Sequence, residues 1–243
     1  MDQLDFYVTV RSPYSYLALD RVEALVKKYK LKLVLKPVYP LAIRSPMFFD
    51  KGHPALLTYL RRDAERVAQM QGIPFSWPMP DPIVQDLSTS EIAADQPHIR
   101  QLSRLLVVAC GLGQGVQIYR AISRLLFRER GDWSAEGALE AAVSHAGCDW
   151  ARLSAHVDEN PQACDNILIE NSADLERAGH WGTPSLVFGA QLFFGQDRID
   201  MCDWFVSRAI SSGHASDQVN RYCVKFDDLQ KVFREPVHIY KQK

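Results

Sequence analysis

Three short groups of residues carry chemistry-bearing types at informative spacing. The first is Arg11-Ser12-Pro13-Tyr14-Ser15. Serine followed by proline is a helix-start pattern, with serine capping and proline in the first helical position. The first N–H groups of a helix lack internal partners, and its N-terminus carries about half a positive charge, so an anion is favoured there. A hydroxyl at that point caps the helix, or donates a hydrogen bond to an anion held against it. The second group is Trp181-Gly182-Thr183-Pro184-Ser185. A proline at a strand start either marks an edge or sets its preceding residue where a peptide can pair with the backbone as an added strand. The third is Phe194-Gly195-Gln196-Asp197-Arg198, where Gln196 and Asp197 suit helix capping or the charged ends of an amino-acid-like head group.

The elements that must position these groups follow from periodicity. Leu4–Val10 alternates as a strand. Pro13–Lys28 repeats apolar residues at helical spacing, and Leu31–Val38 reads as a second strand. Such a β-α-β unit implies a parallel pair. Residues 40–54 hold Pro40, Pro46, Gly52 and Pro54, a loop or broken helix. Ala55–Gln71 is amphipathic, and Gly72–Asp86 is too proline-rich for regular structure. Ser88 and Glu91 have capping-box spacing. Helices are expected over Ile99–Cys110, Val116–Arg130, Ala135–Ala146, Trp150–Val157 and Pro161–Ala178. Ser185–Phe188 and Gln191–Phe194 flank Gly189-Ala190 as a hairpin, and Arg198–Ile210 reads as a helix. The expected fold class is α/β: a thioredoxin-like βαβ…ββα domain interrupted by a large all-helical insertion. Its split domain covers 1–40 and 180–213, the insertion covers 41–179, and 214–243 is a C-terminal extension with one apolar stretch, Val224–Phe233.

The 243 residues are 47% hydrophobic and 23% charged, an ordinary globular balance. With 28 basic against 29 acidic residues, no global field attracts nucleic acid or a membrane surface. No apolar run reaches the roughly 18 residues of a spanning helix. The opening MDQLDFYVTV lacks a signal-peptide pattern, so a cytoplasmic location is expected. Five scattered cysteines include no CxxC pair, and no histidine spacing suits a metal. Gly111-Leu112-Gly113-Gln114-Gly115 follows no strand and reads as a turn between helices rather than a phosphate loop. Arg100, Arg104, Arg120, Arg124, Arg128 and Arg130 read as solvated helix faces interleaved with acids.

In redox-active thioredoxin-like proteins the turn at 12–15 carries a Cys-x-x-Cys pair. Here it reads Ser12-Pro13-Tyr14-Ser15, so disulfide exchange by this chain's own sulfurs at that turn is excluded. A serine without a base is a poor nucleophile, but it can donate to a thiolate supplied by a ligand, most naturally glutathione. Glutathione is a tripeptide and suits strand-like pairing beside Pro184.

The stretches Phe6-Tyr7, Ser12-Pro13-Tyr14-Ser15-Tyr16-Leu17-Ala18, Ile73-Pro74, Trp181-Gly182-Thr183-Pro184 and Phe194-Gly195-Gln196-Asp197-Arg198 resemble the 2-hydroxychromene-2-carboxylate isomerase family. That family is kin to kappa-class glutathione transferases and, more distantly, to periplasmic disulfide oxidoreductases. The resemblance spans about residues 4–210. It implies a glutathione-dependent isomerase of aromatic catabolism, acting on a small aromatic carboxylate as a homodimer. Reversible thiol addition opens the ring and lets a former double bond rotate before the thiol is expelled. Carried over, Ser12 holds the thiolate, Thr183 offers backbone beside a cis-Pro184, and Phe194, Gly195, Gln196 and Asp197 form the γ-glutamyl end. Arg44 sits where the family has a cation for the substrate carboxylate, or is a solvated loop residue. Asp50-Lys51-Gly52-His53-Pro54 departs from the family pattern; Lys51 or His53 substitutes for the missing feature or lies on the surface. Tyr16 or Trp181 is a candidate wall of an aromatic pocket. The alternatives are a kappa-like transferase conjugating electrophiles and a non-catalytic thioredoxin-like binding protein.

Overall fold

The computed structural model describes residues 2–45, 55–85 and 91–211. Strand β1 (Gln3–Val8) leads through helix α1 (Pro13–Tyr29) to β2 (Lys32–Pro37). A helical stretch follows: α2 (Leu41–Arg44), α3 (Ala55–Gln71), α4 (Pro97–Gly111), α5 (Gly115–Phe127), α6 (Ala138–His145), α7 (Trp150–Glu159) and α8 (Pro161–Arg177). Strands β3 (Ser185–Phe188) and β4 (Gln191–Phe194) then form a hairpin, and a single 3-10 turn at Gln196–Arg198 opens helix α9 (Ile199–Ser211). The sheet order is β2-β1-β3-β4, with β1 parallel to β2 and antiparallel to β3. The parallel pair, the hairpin and the thioredoxin-like order match the expectation from sequence. Most boundaries shift by one to three residues, as helix and strand ends do. Ser88 and the Val224–Phe233 stretch lie outside the described residues.

Period-two alternation explains the layering. Leu4, Phe6 and Val8 are fully buried and point into the main core with Leu19 and Val22 of α1 and Cys202 and Val206 of α9. Tyr7 points the other way, packing with Val38 and with Leu175 of α8. The same main core runs on through Leu102 and Leu106 of α4 and Ile118 and Ile122 of α5, so sheet and helices share one apolar interior. On the second face Lys36 lies 3.2 Å from Asp5 and 3.3 Å from Asp174, which ties α8 to the sheet.

Arg124, Arg128 and Arg130 are exposed as expected, but Arg104 and Arg120 differ from the solvated faces expected of them. Arg104 makes a two-pronged contact with Asp165, at 2.8 and 2.7 Å, which also accepts from Tyr39 Oη at 2.6 Å. Arg120 pairs with Asp20 and Glu23 of α1. These residues stitch helices together, and only the contact map distinguishes that from a solvated face. The Arg104 guanidinium holds the Asp165 carboxyl below the usual carboxylate range. A depressed folded pKa gives stability that is present above the unfolded value, near 4, and is lost as pH falls through the folded one. Asp165→Asn is therefore expected to cost about 1–3 kcal/mol at neutral pH, the pair being only partly buried. It should also flatten the acid limb of a denaturation series. An unchanged acid limb would separate Asp165 from acid stability.

Among the described residues no helix is long and apolar enough to cross a membrane. Gly111–Gly115 forms the turn between α4 and α5, with Gln114 N–H donating to Ala109 O at 2.8 Å.

Candidate active site

Helix α1 starts where the sequence places it. Ser12 has extended backbone (φ −83°, ψ 115°), Pro13 opens the helix, and Ser12 Oγ accepts from Ser15 N–H at 3.2 Å. The turn is closed by Ser12 N–H donating to Thr9 O at 3.1 Å. Ser12 is 8% exposed. Its oxygen thus does the capping, while the hydroxyl hydrogen has no partner among the described residues. Capping and donation to an anion are compatible roles for this one side chain.

Register brings the second group to the first. β1 and β3 pair antiparallel with Tyr7 opposite Ser185, so Pro184 and Thr183 continue past Val8 toward the Ser12 turn. The Thr183–Pro184 bond is cis. Among the described residues neither the N–H nor the carbonyl of Thr183 has a hydrogen-bond partner. Gly195 N–H donates to Pro184 O at 2.9 Å, which draws the third group in beside the second. Gly195 has φ +104°, and a Cβ there would lie 2.4 Å from Asp197 Oδ1. Asp197 is paired with Arg198 at 2.8 Å and raises the pKa of the nearby Tyr14 hydroxyl. Burial raises that pKa most, and Asp63, which accepts from Tyr14 Oη at 2.6 Å, raises it further.

Phe194 takes part differently from its neighbours. Its ring stacks on His180, with centroids 3.9 Å apart, and Trp181 also stacks on His180, at 4.9 Å. Gly182 lies beneath these rings; a Cβ would meet Phe194 Cε2 at 2.5 Å. Gly182 N–H donates to His180 Nδ1 at 2.8 Å, which leaves the imidazole proton on Nε2, and burial holds the His180 pKa below its ordinary value. Arg44 reaches the same loop, donating to Trp181 O at 2.8 Å and to Tyr39 O at 2.6 Å. Among the described residues this half-buried guanidinium has no carboxylate partner within ion-pair distance. Tyr16, partly buried, is packed against Phe127 and Phe75 and donates to Pro74 O at 2.8 Å, which ties the first turn of α1 to the proline-rich segment. Lys51 and His53 lie outside the described residues.

Sequence reasoning missed several supports. Arg11 makes a two-pronged contact with Asp81, at 2.7 and 2.5 Å, and lies over the Trp77 ring. This fastens the residue before Ser12 to the proline-rich segment 72–85. No local pattern signals a pair separated by 70 positions. The cysteines Cys110, Cys148, Cys164 and Cys202 are free, and all but Cys110 are buried. Burial pushes the thiols of Cys110 and Cys202 up to about 12. No cluster of three or more metal-ligating side chains occurs among the described residues.

A four-stranded sheet with this order, a capped helix after β1 and a cis-proline at the start of β3 define a thioredoxin-like protein whose turn before that helix holds hydroxyls instead of sulfurs. The chain belongs to the DsbA-like thioredoxin domain family, whose model matches residues 3–205. No curated protein matches it significantly. Among solved structures it is similar to a 2-hydroxychromene-2-carboxylate isomerase, at 21% identity and a TM-score of 0.64 over 87% of this chain and 97% of that one. It is also similar to the cytosolic disulfide reductase DsbM from Pseudomonas aeruginosa, at 15% identity and a TM-score of 0.59 over 86% of this chain and 99% of that one. The same reductase has been solved with GSH and aligns with a TM-score of 0.57. These identities establish likeness of fold.

Proposed function

We propose that the protein is a glutathione-dependent isomerase of the 2-hydroxychromene-2-carboxylate type. One observation carries the reading: a nearly buried Ser12 hydroxyl caps α1 through its oxygen, keeps its hydrogen available, and stands at the sheet end where Thr183 offers an unpaired backbone edge. The residues present fit glutathione. A tripeptide can pair with Thr183 as a short added strand, and Ser12 can donate to its sulfur. Gln196 and Asp197 stand at the γ-glutamyl end, next to Gly195 and Phe194. An isomerase of this reaction and a reductase solved with GSH share the fold, which supports the reading. Bound glutathione would supply a thiolate able to add reversibly to an unsaturated substrate. This chain's own part is to hold that sulfur charged, to orient the peptide, and to receive the substrate on the side of Arg44 and Trp181. A guanidinium with no carboxylate within ion-pair distance among the described residues suits a substrate carboxylate. Lys51 and His53 are proposed for the substrate side as well. The division into a split domain (1–40 and 180–213) and a helical insertion (41–179), the cytoplasmic location and the homodimer belong to the same proposal.

Mass analysis of the reaction tests it. With 2-hydroxychromene-2-carboxylate and sub-stoichiometric glutathione, the product is expected to keep the substrate's mass while its ultraviolet spectrum changes. A mass gain equal to glutathione would mean conjugation and a kappa-like transferase. Binding of S-methylglutathione without turnover across a range of electrophiles would mean a binding protein.

A further inference from the structure

Gln196 is nearly buried, and its amide is fixed from two sides. Arg21 of α1 donates through Nη1 to the Gln196 backbone oxygen at 2.8 Å and to its Oε1 at 3.5 Å, while Nη2 holds Asp200 at 2.7 Å. Gln71, the last residue of α3, donates through Nε2 to the same Oε1 at 3.0 Å. An amide can usually be turned end for end without changing its shape. Here it cannot, because arginine has only donors, so the atom facing Arg21 must be the oxygen. Gln71 must then offer its nitrogen, and its own Oε1 is left buried without a partner. A buried polar atom without a partner is unfavourable and calls for a reason. The result of the arrangement is that Gln196 Nε2 is the only end of the amide left over, with no partner among the described residues.

We propose that Arg21 and Gln71 are positioning residues that lock Gln196 as a hydrogen-bond donor, so that this end of the site takes the carboxylate of an amino-acid-like head group. The inference rests on the glutathione reading and deepens it. Gln196 Nε2 receives the γ-glutamyl α-carboxylate, which leaves the acceptor-only Asp197 for the α-ammonium. It also gives α3, in the helical stretch, a direct part in a site otherwise built from α1 and the hairpin.

Calorimetry on the full chain tests this with S-methylglutathione and with its analogue lacking the γ-glutamyl α-carboxylate. The wild-type protein is expected to bind the analogue at least tenfold more weakly. Gln71→Met is expected to lose about tenfold in affinity for S-methylglutathione, the size of one hydrogen bond to a charged group. It should lose less than twofold for the analogue. A loss that depends on the ligand's carboxylate is something a merely structural role for Gln71 would not produce. Equal losses for both ligands, or no loss, overturn the inference and leave the glutathione reading standing. Failure of the wild-type protein to bind S-methylglutathione overturns both.

Discussion

Replacing Ser12 by alanine is expected to raise the pKa of the bound glutathione thiol by about one to two units and to lower turnover at neutral pH roughly tenfold or more. A free thiol ionises near pH 8.5 and is only a few per cent thiolate at pH 7. Moving it down by two units takes about 2.7 kcal/mol. A hydrogen bond to a charged group contributes about 1.5–3 kcal/mol, and a helix terminus up to about 1. Ser12 holds both positions: it caps α1, and its hydroxyl hydrogen is not used by the cap. On the proposed reading the bound thiol's pKa is lowered, so thiolate-dependent turnover is expected to be present above the lowered value and lost as pH falls through it. In Ser12→Ala that limb moves to higher pH. Ser12→Cys, which still carries a donor, should retain some activity. Loss of the cap alone would cost about 1 kcal/mol of stability and leave the thiol untouched. Titration of thiolate absorbance separates the two, and a curve unchanged by Ser12→Ala would remove Ser12 from the chemistry.

Gly195→Ala is expected to have the next largest effect. At φ +104° an L side chain is strained by about 1–3 kcal/mol, and the new Cβ would clash with Asp197 Oδ1 at 2.4 Å. The carboxylate must swing away, or the backbone must leave the Pro184 carbonyl that Gly195 N–H now reaches. Both outcomes are expected to lower the melting temperature and to spoil the proposed γ-glutamyl end. Loss of one charge-assisted contact predicts a ten- to hundredfold drop in affinity for S-methylglutathione by calorimetry. A variant that is destabilised yet binds normally would exclude Asp197 from the ligand's contacts.

Much of the fold was legible because local signals agreed. Ser12-Pro13 marked the start of α1, alternation marked β1, and Gly189-Ala190 marked the hairpin. The approach of Ser12, Thr183 and Gly195 was legible only through topology, since it depends on β3 entering the sheet antiparallel beside β1. What stayed hidden were contacts set by packing. Gln71 ends an ordinary amphipathic helix, and nothing near it in the chain indicates that it meets Gln196. Phe194 read as part of a glutathione motif, yet its ring is engaged with His180, a residue that carried no signal of its own. The packing of Tyr16 on Phe75 was hidden too, because Phe75 comes from a proline-rich stretch whose path periodicity does not describe.

That stretch is held from several directions at once. Pro74 O accepts from Tyr16, Ser76 N–H donates to Phe127 O at 2.6 Å, Trp77 Nε1 donates to Glu65 at 2.8 Å, Pro80 O accepts from Trp133 at 2.6 Å, and Asp81 grips Arg11. Its fastenings are spaced along the chain like rivets in a plate, so its length is as constrained as its composition. A single residue gained or lost between positions 74 and 81 is expected to put every later fastening out of step and, through Asp81 and Arg11, to drag the Ser12 turn with it.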